Sequence, residues 1–100
     1  MSLSREYVLH RLREHRHELE RAGIVRLALF GSVARNEGNA KSDVDLMGDF
    51  DRAKKLSLLD MVGLEERLSE IVGTRVDLAD RKMLKTPIKL SAEREAILAF

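Results

Sequence analysis

The 100 residues are 44% apolar and 35% charged, and 18 Lys and Arg against 17 Asp and Glu leave a formal charge of +1. Such a composition fits a globular chain folding as a single domain over residues 1–100, and its balanced charge excludes coating nucleic acid through a basic excess. The absence of cysteine excludes disulfides and thiolate metal sites; no apolar run nears the ~20 residues of a membrane span, and no leader-like stretch opens the chain, so the expected compartment is the cytoplasm.

From Ser4 to Ala22 the apolar residues Val8, Leu12, Leu19 and Ala22 recur at helical spacing, with Ser4 as N-cap and Gly23 as stop. Ile24 to Phe30, "IVRLALF", is a short apolar and β-branched run that predicts a buried strand. Ser32 to Arg35 can form a helical turn, and Glu37 to Ser42 is loop by composition. A second strand is predicted over Asp43 to Phe50, with Val44 and Leu46 on one face and Asp43, Asp45 and Met47 on the other. Ser57 and Asp60 resemble a capping box for a helix ending at Gly73, with Leu58, Met61, Val62, Leu68, Ile71 and Val72 as its buried stripe. Gly63 within that helix costs ~1 kcal/mol against Ala, which points to a close approach on its face. Thr74 to Asp80 predicts a third strand carrying Asp77. Thr86 and Pro87 read as N-cap and first residue of a last helix running toward Phe100, with the thin stripe Ile88, Ala92, Ala96 and Ala99. The order implies an α+β fold, a small mixed sheet with helices packed on it.

Residues two apart on a strand project from one face, ~6.8 Å apart along the chain. Asp43 and Asp45 therefore point together, and burying both carboxylates without compensation would cost several kcal/mol. A hard divalent cation such as Mg²⁺ relieves that repulsion. If the third strand neighbours the second, Asp77 joins them, and three carboxylates can hold two metals ~3.5–4 Å apart for attack on phosphorus. Gly31 and Ser32 supply the complementary half: they follow a strand and open a turn, where free backbone N–H groups attract anions.

Gly31-Ser32-Val33-Ala34-Arg35 followed by Ser42-Asp43-Val44-Asp45-Leu46 resembles the G-S-x-A-R…S-D-x-D-L signature of the minimal nucleotidyltransferases of the polymerase β superfamily. The "LSLLD" helix entry, the "GTRVDL" strand and the terminal helix fall in the same order, so the resemblance spans nearly everything from Ile24 onward. It implies the nucleotidyltransferase fold, two Mg²⁺ held by Asp43, Asp45 and Asp77, and the phosphates of ATP held by Gly31 and Ser32, with Ser42 beside them. It also implies a HEPN-domain toxin as partner and AMP transfer from ATP to a hydroxyl, such as a tyrosine of that partner. Asn36 stands where the family commonly has Gly, and Gly48 where an apolar strand residue is usual.

Taken without the resemblance, a D-x-D on a strand is more often a solvated edge; a surface carboxylate is the lesser alternative for Asp77, and a tight turn at Gly31 suits either reading. Arg35 reads first as the partner of a nearby carboxylate, and Lys41 as loop solvation. His15 and His17 lie ~200° apart on a helix and cannot share an ion. The arginines of the first helix alternate with glutamates and read as a solvated face or a docking surface. Two rival functions stay open: a non-catalytic antitoxin that masks its toxin by contact, and a small-molecule transferase of the aminoglycoside kind. The latter needs an acceptor domain for which 100 residues leave no room, so the acceptor pocket would be completed by another protein or another copy.

Overall fold

The computed structural model describes residues 4–37 and 43–100. Lys41, expected as loop solvation, and Ser42, expected beside the phosphates, lie outside the described residues. The chain runs α1 (Arg5–Glu14), α2 (Arg16–Arg21), β1 (Ile24–Phe30), α3 (Gly31–Ala34), β2 (Val44–Phe50), α4 (Leu58–Val72), β3 (Val76–Asp80), α5 (Thr86–Glu95) and β4 (Ile97–Leu98). Single 3₁₀ turns at Arg52–Lys54 and Arg81–Met83 follow β2 and β3. The four strands form one mixed sheet in the order β3-β2-β1-β4, with β2 and β3 parallel and the other neighbours antiparallel.

Strand alternation divides the sheet into two faces. Leu27, Leu29, Val44, Leu46 and Val76 turn to one side, where they join Val8, Leu12 and Leu19 of the first helices and Leu64, Leu68 and Ile71 of α4 in the main core. Burial of each such side chain stabilises the fold by ~1.5–3 kcal/mol. Ala28 and Met47 turn to the other side and meet Ala92 of α5 in a smaller cluster. That second face is only partly covered, which leaves the N-terminal ends of β2 and β3 open.

The expected first helix is broken. His15 sends its amide to Leu12 O (3.2 Å), and its Nδ1 lies 3.0 Å from Arg11 O, the carbonyl a regular helix would pair with that amide. Arg5, Arg11 and Arg13 act as fasteners, while Arg16 and Arg21 stay exposed, the solvated face expected of them. Arg5 donates to Ala34 O (3.1 Å), Arg11 to Ile71 O (3.0 Å), and Arg13 to Ala99 O (2.8 Å) and Leu98 O (3.0 Å). Arg67 forks onto both Glu18 oxygens, tying α4 to α2 and holding the Glu18 carboxyl below its usual range.

Around α4 the reading from sequence holds at the ends and along most of the stripe, where Leu68, Ile71 and Val72 are buried and Met61 packs against the core. Ser57 accepts from Asp60 N (3.1 Å), Asp60 accepts from Ser57 N (2.8 Å), and Gly73 closes the helix in the left-handed region at φ 81°. Ser57→Ala should therefore lower stability by about 0.5–2 kcal/mol, read as a lower urea midpoint at unchanged slope. Leu58 and Val62, expected inside, are 80% and 45% exposed, because they lie round the helix from the buried stripe of Leu64, Leu68, Ile71 and Val72. Nothing in the described structure approaches within 4 Å of a Cβ placed on Gly63, so the close approach expected there is absent from the fold itself.

The last helix also differs. Its N-cap is Lys85, with Thr86 and Pro87 in the first turn, and it ends at Glu95. Ala96 and Ala99 flank β4 instead of continuing the helix, since Ile97 and Leu98 pair with Leu29 and Ala28. Gly48 does not interrupt β2, which pairs through to Phe50; a Cβ there would sit 3.2 Å from the Phe50 ring. Asn36 takes φ 62°, a conformation Gly adopts freely and Asn tolerates.

Candidate active site

Parallel pairing of β2 with β3 sets Asp45 opposite Asp77, with Val44 opposite Val76 before them and Leu46 opposite Leu78 after. The in-register pairing puts both carboxylates on the open face. Asp43 precedes β2, and the guanidinium of Arg75 bridges it to Asp77, with Nε 3.9 Å from Asp43 Oδ2 and Nη2 3.9 Å from Asp77 Oδ1. Burial pushes the Asp45 carboxyl up, and the charges of Asp77 and Asp43 push it further in the same direction; Arg35 opposes this and Glu95 adds to it. Among the described residues no three acidic or histidine side chains close into a finished metal cage. The donors nonetheless fit magnesium: they are hard carboxylate oxygens, mutually repulsive, and already drawn to a cation in Arg75. Mg²⁺ commonly keeps several waters and needs only one or two protein carboxylates beside the substrate's phosphates.

Gly31 is built against this cluster. It takes φ 78°, and a Cβ there would fall inside the envelope of Asp45 Oδ2 and lie 3.0 Å from Asp45 Cγ. Glycine is therefore required twice, by the backbone and by the neighbouring carboxylate. Ser32 follows in the first turn of α3, half-buried, and its carbonyl accepts from Glu37 N (2.8 Å). The Gly31 amide itself donates to Glu95 Oε1 (3.3 Å), and the other oxygen of Glu95 accepts from Arg35 Nη1 (2.7 Å). Arg35 also reaches Glu37 (2.9 Å), the carboxylate pairing expected of it.

Two residues of this site escaped the sequence reading. Arg75 was legible, since it lies two positions before Asp77 near the start of the same strand. Glu95 was not: it lies 64 residues from Gly31, on a helix expected to pass on toward Phe100. The histidines take no part; His10 pairs with Glu14 (3.3 Å) and His17 lies near Glu20 (3.8 Å) on the far helices.

A mixed sheet carrying paired aspartates at one open end, with a Gly-Ser turn in contact with them, is the arrangement of a nucleotidyltransferase. The sequence profile of the nucleotidyltransferase domain family matches residues 11–99, and the chain belongs to that family as a minimal nucleotidyltransferase. It is 40% identical over 87 residues to the protein adenylyltransferase MntA of Thermococcus cleftensis, covering 86% of each chain. A relative from Methanocaldococcus jannaschii is 38% identical over 88 residues, or 86% of this chain and 88% of that one. Among solved structures, a minimal nucleotidyltransferase superposes with TM-score 0.77 at 37% identity, covering 94% of both chains. A toxin–antitoxin structure with AMP-PNP superposes with TM-score 0.71 at 20% identity, covering 88% of this chain and 72% of that one, a likeness of fold alone.

Proposed function

We propose that this chain transfers AMP from ATP to a hydroxyl of a protein partner, a tyrosine of a HEPN-domain toxin, and so acts as its antitoxin. The observation that carries the reading is the contact between the Gly31 backbone and Asp45, itself the register partner of Asp77. A phosphate seat and a carboxylate cluster share one wall. The kinship with a protein adenylyltransferase supports the choice of reaction.

Asp43, Asp45 and Asp77 would hold two Mg²⁺, which supply charge neutralisation for the phosphates and lower the pKa of the acceptor hydroxyl. The Gly31 amide and the Ser32 hydroxyl hold the phosphate tail, and contact with Asp45 fixes the backbone that presents them. The acceptor oxygen bonds to the α-phosphorus as the bond to the β-phosphate oxygen breaks, and pyrophosphate leaves. Asp77, half-exposed at the open end, is the carboxylate available to take the acceptor's proton.

Glu95 must release the Gly31 amide before a phosphate can take it. Glu95→Gln removes a negative charge from the seat and loosens its hold on Arg35, so a non-hydrolysable ATP analogue should bind roughly 3–10-fold more tightly by calorimetry. Unchanged or weaker binding would place the phosphates elsewhere. The reaction is tested by incubating the chain with the product of the adjacent gene, Mg²⁺ and ATP, then measuring the intact mass of that protein. Addition of AMP, mapped to a tyrosine, is the predicted outcome; a tight but unmodified complex would instead identify a masking antitoxin.

A further inference from the structure

The N-terminal ends of β2 and β3 set one cation among three carboxylates. Carried one residue back from the pair Val44 and Val76, the parallel register puts Arg75 beside Asp43, as Asp77 lies beside Asp45. A backbone hydrogen bond from Val44 N to Arg75 O (2.9 Å) fixes that place. Arg75 and Asp77 are two residues apart at the start of one strand, so their side chains leave by the same face. The guanidinium therefore bridges a carboxylate from each side, Asp43 through Nε and Asp77 through Nη2. Each contact is 3.9 Å, an ion pair too long to be a hydrogen bond, and the Arg75 side chain is 75% exposed. The backbone is anchored while the head is held by charge alone. It can leave at little cost.

We infer that Arg75 is the internal counter-ion of the metal-free site, holding the place between Asp43 and Asp77 and turning out to solvent as a divalent cation enters. This role rests on the function proposed above, in which these carboxylates hold Mg²⁺. Charge favours exchange over coexistence. With Arg75 in place, Asp43 and Asp77 already share one positive charge, and an incoming cation meets the repulsion of the guanidinium as well as the attraction of the carboxylates. The long stem of the side chain lets its head swing into water without moving β3. The two equilibria are linked: what Arg75 contributes to the metal-free fold by quieting carboxylate repulsion, it subtracts from metal affinity. Glu95 on the Gly31 amide is the mirror case, an internal anion in the phosphate seat. Each half of the site is thus held by a side chain with its ligand's sign of charge.

The test is calorimetric Mn²⁺ binding to the full chain without nucleotide, with thermal midpoints measured in chelator and in saturating Mn²⁺. Arg75→Gln should bind Mn²⁺ about 3–10-fold more tightly than the wild type. In chelator it should melt about 1–3 °C lower, and in saturating Mn²⁺ that deficit should close. A merely structural arginine would lower both midpoints alike and leave the affinity unchanged. Arg75→Lys keeps the charge and should stay within about twofold of wild-type affinity. Asp45→Asn should weaken Mn²⁺ binding in the wild-type and Arg75→Gln backgrounds alike, which locates the ion at this cluster. Equal Mn²⁺ affinity in wild type and Arg75→Gln overturns the inference and leaves the metal reading standing. No Mn²⁺ binding in either, or binding untouched by Asp45→Asn, removes the metal reading and the role of Arg75 with it.

Discussion

Asp45→Asn is expected to lower AMP transfer by roughly 10³-fold or more while leaving the fold at least as stable as the wild type at neutral pH. Both halves follow from one environment. Asp45 is half-buried, and its carboxyl is pushed up by burial and by its neighbours Asp77 and Asp43, with Glu95 adding and Arg35 opposing. In the absence of metal the native state therefore carries a repulsion that the unfolded chain lacks. Because the folded carboxyl protonates at higher pH than the unfolded one, acidification through the folded pKa relieves this repulsion and adds stability, levelling off below the unfolded pKa. Asp60 and Glu18 act oppositely: their lowered carboxyls contribute stability above the unfolded pKa that is lost as pH falls through the folded one. Comparing urea midpoints of wild type and Asp45→Asn across this range, in chelator, isolates the Asp45 share. A variant that keeps wild-type turnover, or unfolds much more readily at neutral pH, would contradict the assignment.

Gly31→Ala should damage both stability and activity, for two separable reasons. The left-handed backbone at φ 78° costs an L-residue about 1–2 kcal/mol, and the new methyl group meets the Asp45 carboxylate. Combining it with Asp45→Ala removes the collision but not the backbone strain. The double mutant should thus be more stable than additivity predicts, by about 0.5–3 kcal/mol in denaturation midpoints converted at constant slope. Strict additivity would mean that the glycine and the carboxylate do not share a wall.

Much of this arrangement could be read from the chain, because it is written in local signals. The run "IVRLALF", the Ser57–Asp60 box and Gly73 each settle by short-range chemistry, and the strands and α4 begin and end close to where those signals put them. Alternation placed Asp43 and Asp45 on one face, and the parallel register then brought Asp77 alongside. What could not be read depends on contacts distant in sequence. β4 is two residues long and is held by β1, so its alanine-flanked segment reads as helix until that edge is known. The break at His15 comes from a side chain competing for Arg11 O, while the apolar spacing from Leu12 to Leu19 continues through it undisturbed. Leu58 and Val62 are apolar and near the stripe in sequence, but the face of α4 that meets the core is the one carrying Leu64, Leu68, Ile71 and Val72. Glu95 joins Gly31 only because α5 stops at the open face.

The most direct measurement is a crystal of the chain grown with Mn²⁺ and a non-hydrolysable ATP analogue, with data collected at the manganese edge. Two anomalous peaks about 3.5–4 Å apart, bounded by Asp43, Asp45 and Asp77, are predicted, with the Gly31 amide on a phosphate oxygen and Glu95 withdrawn from it. Manganese bound elsewhere, or a nucleotide seated away from Gly31 with the three aspartates bare, would contradict the account.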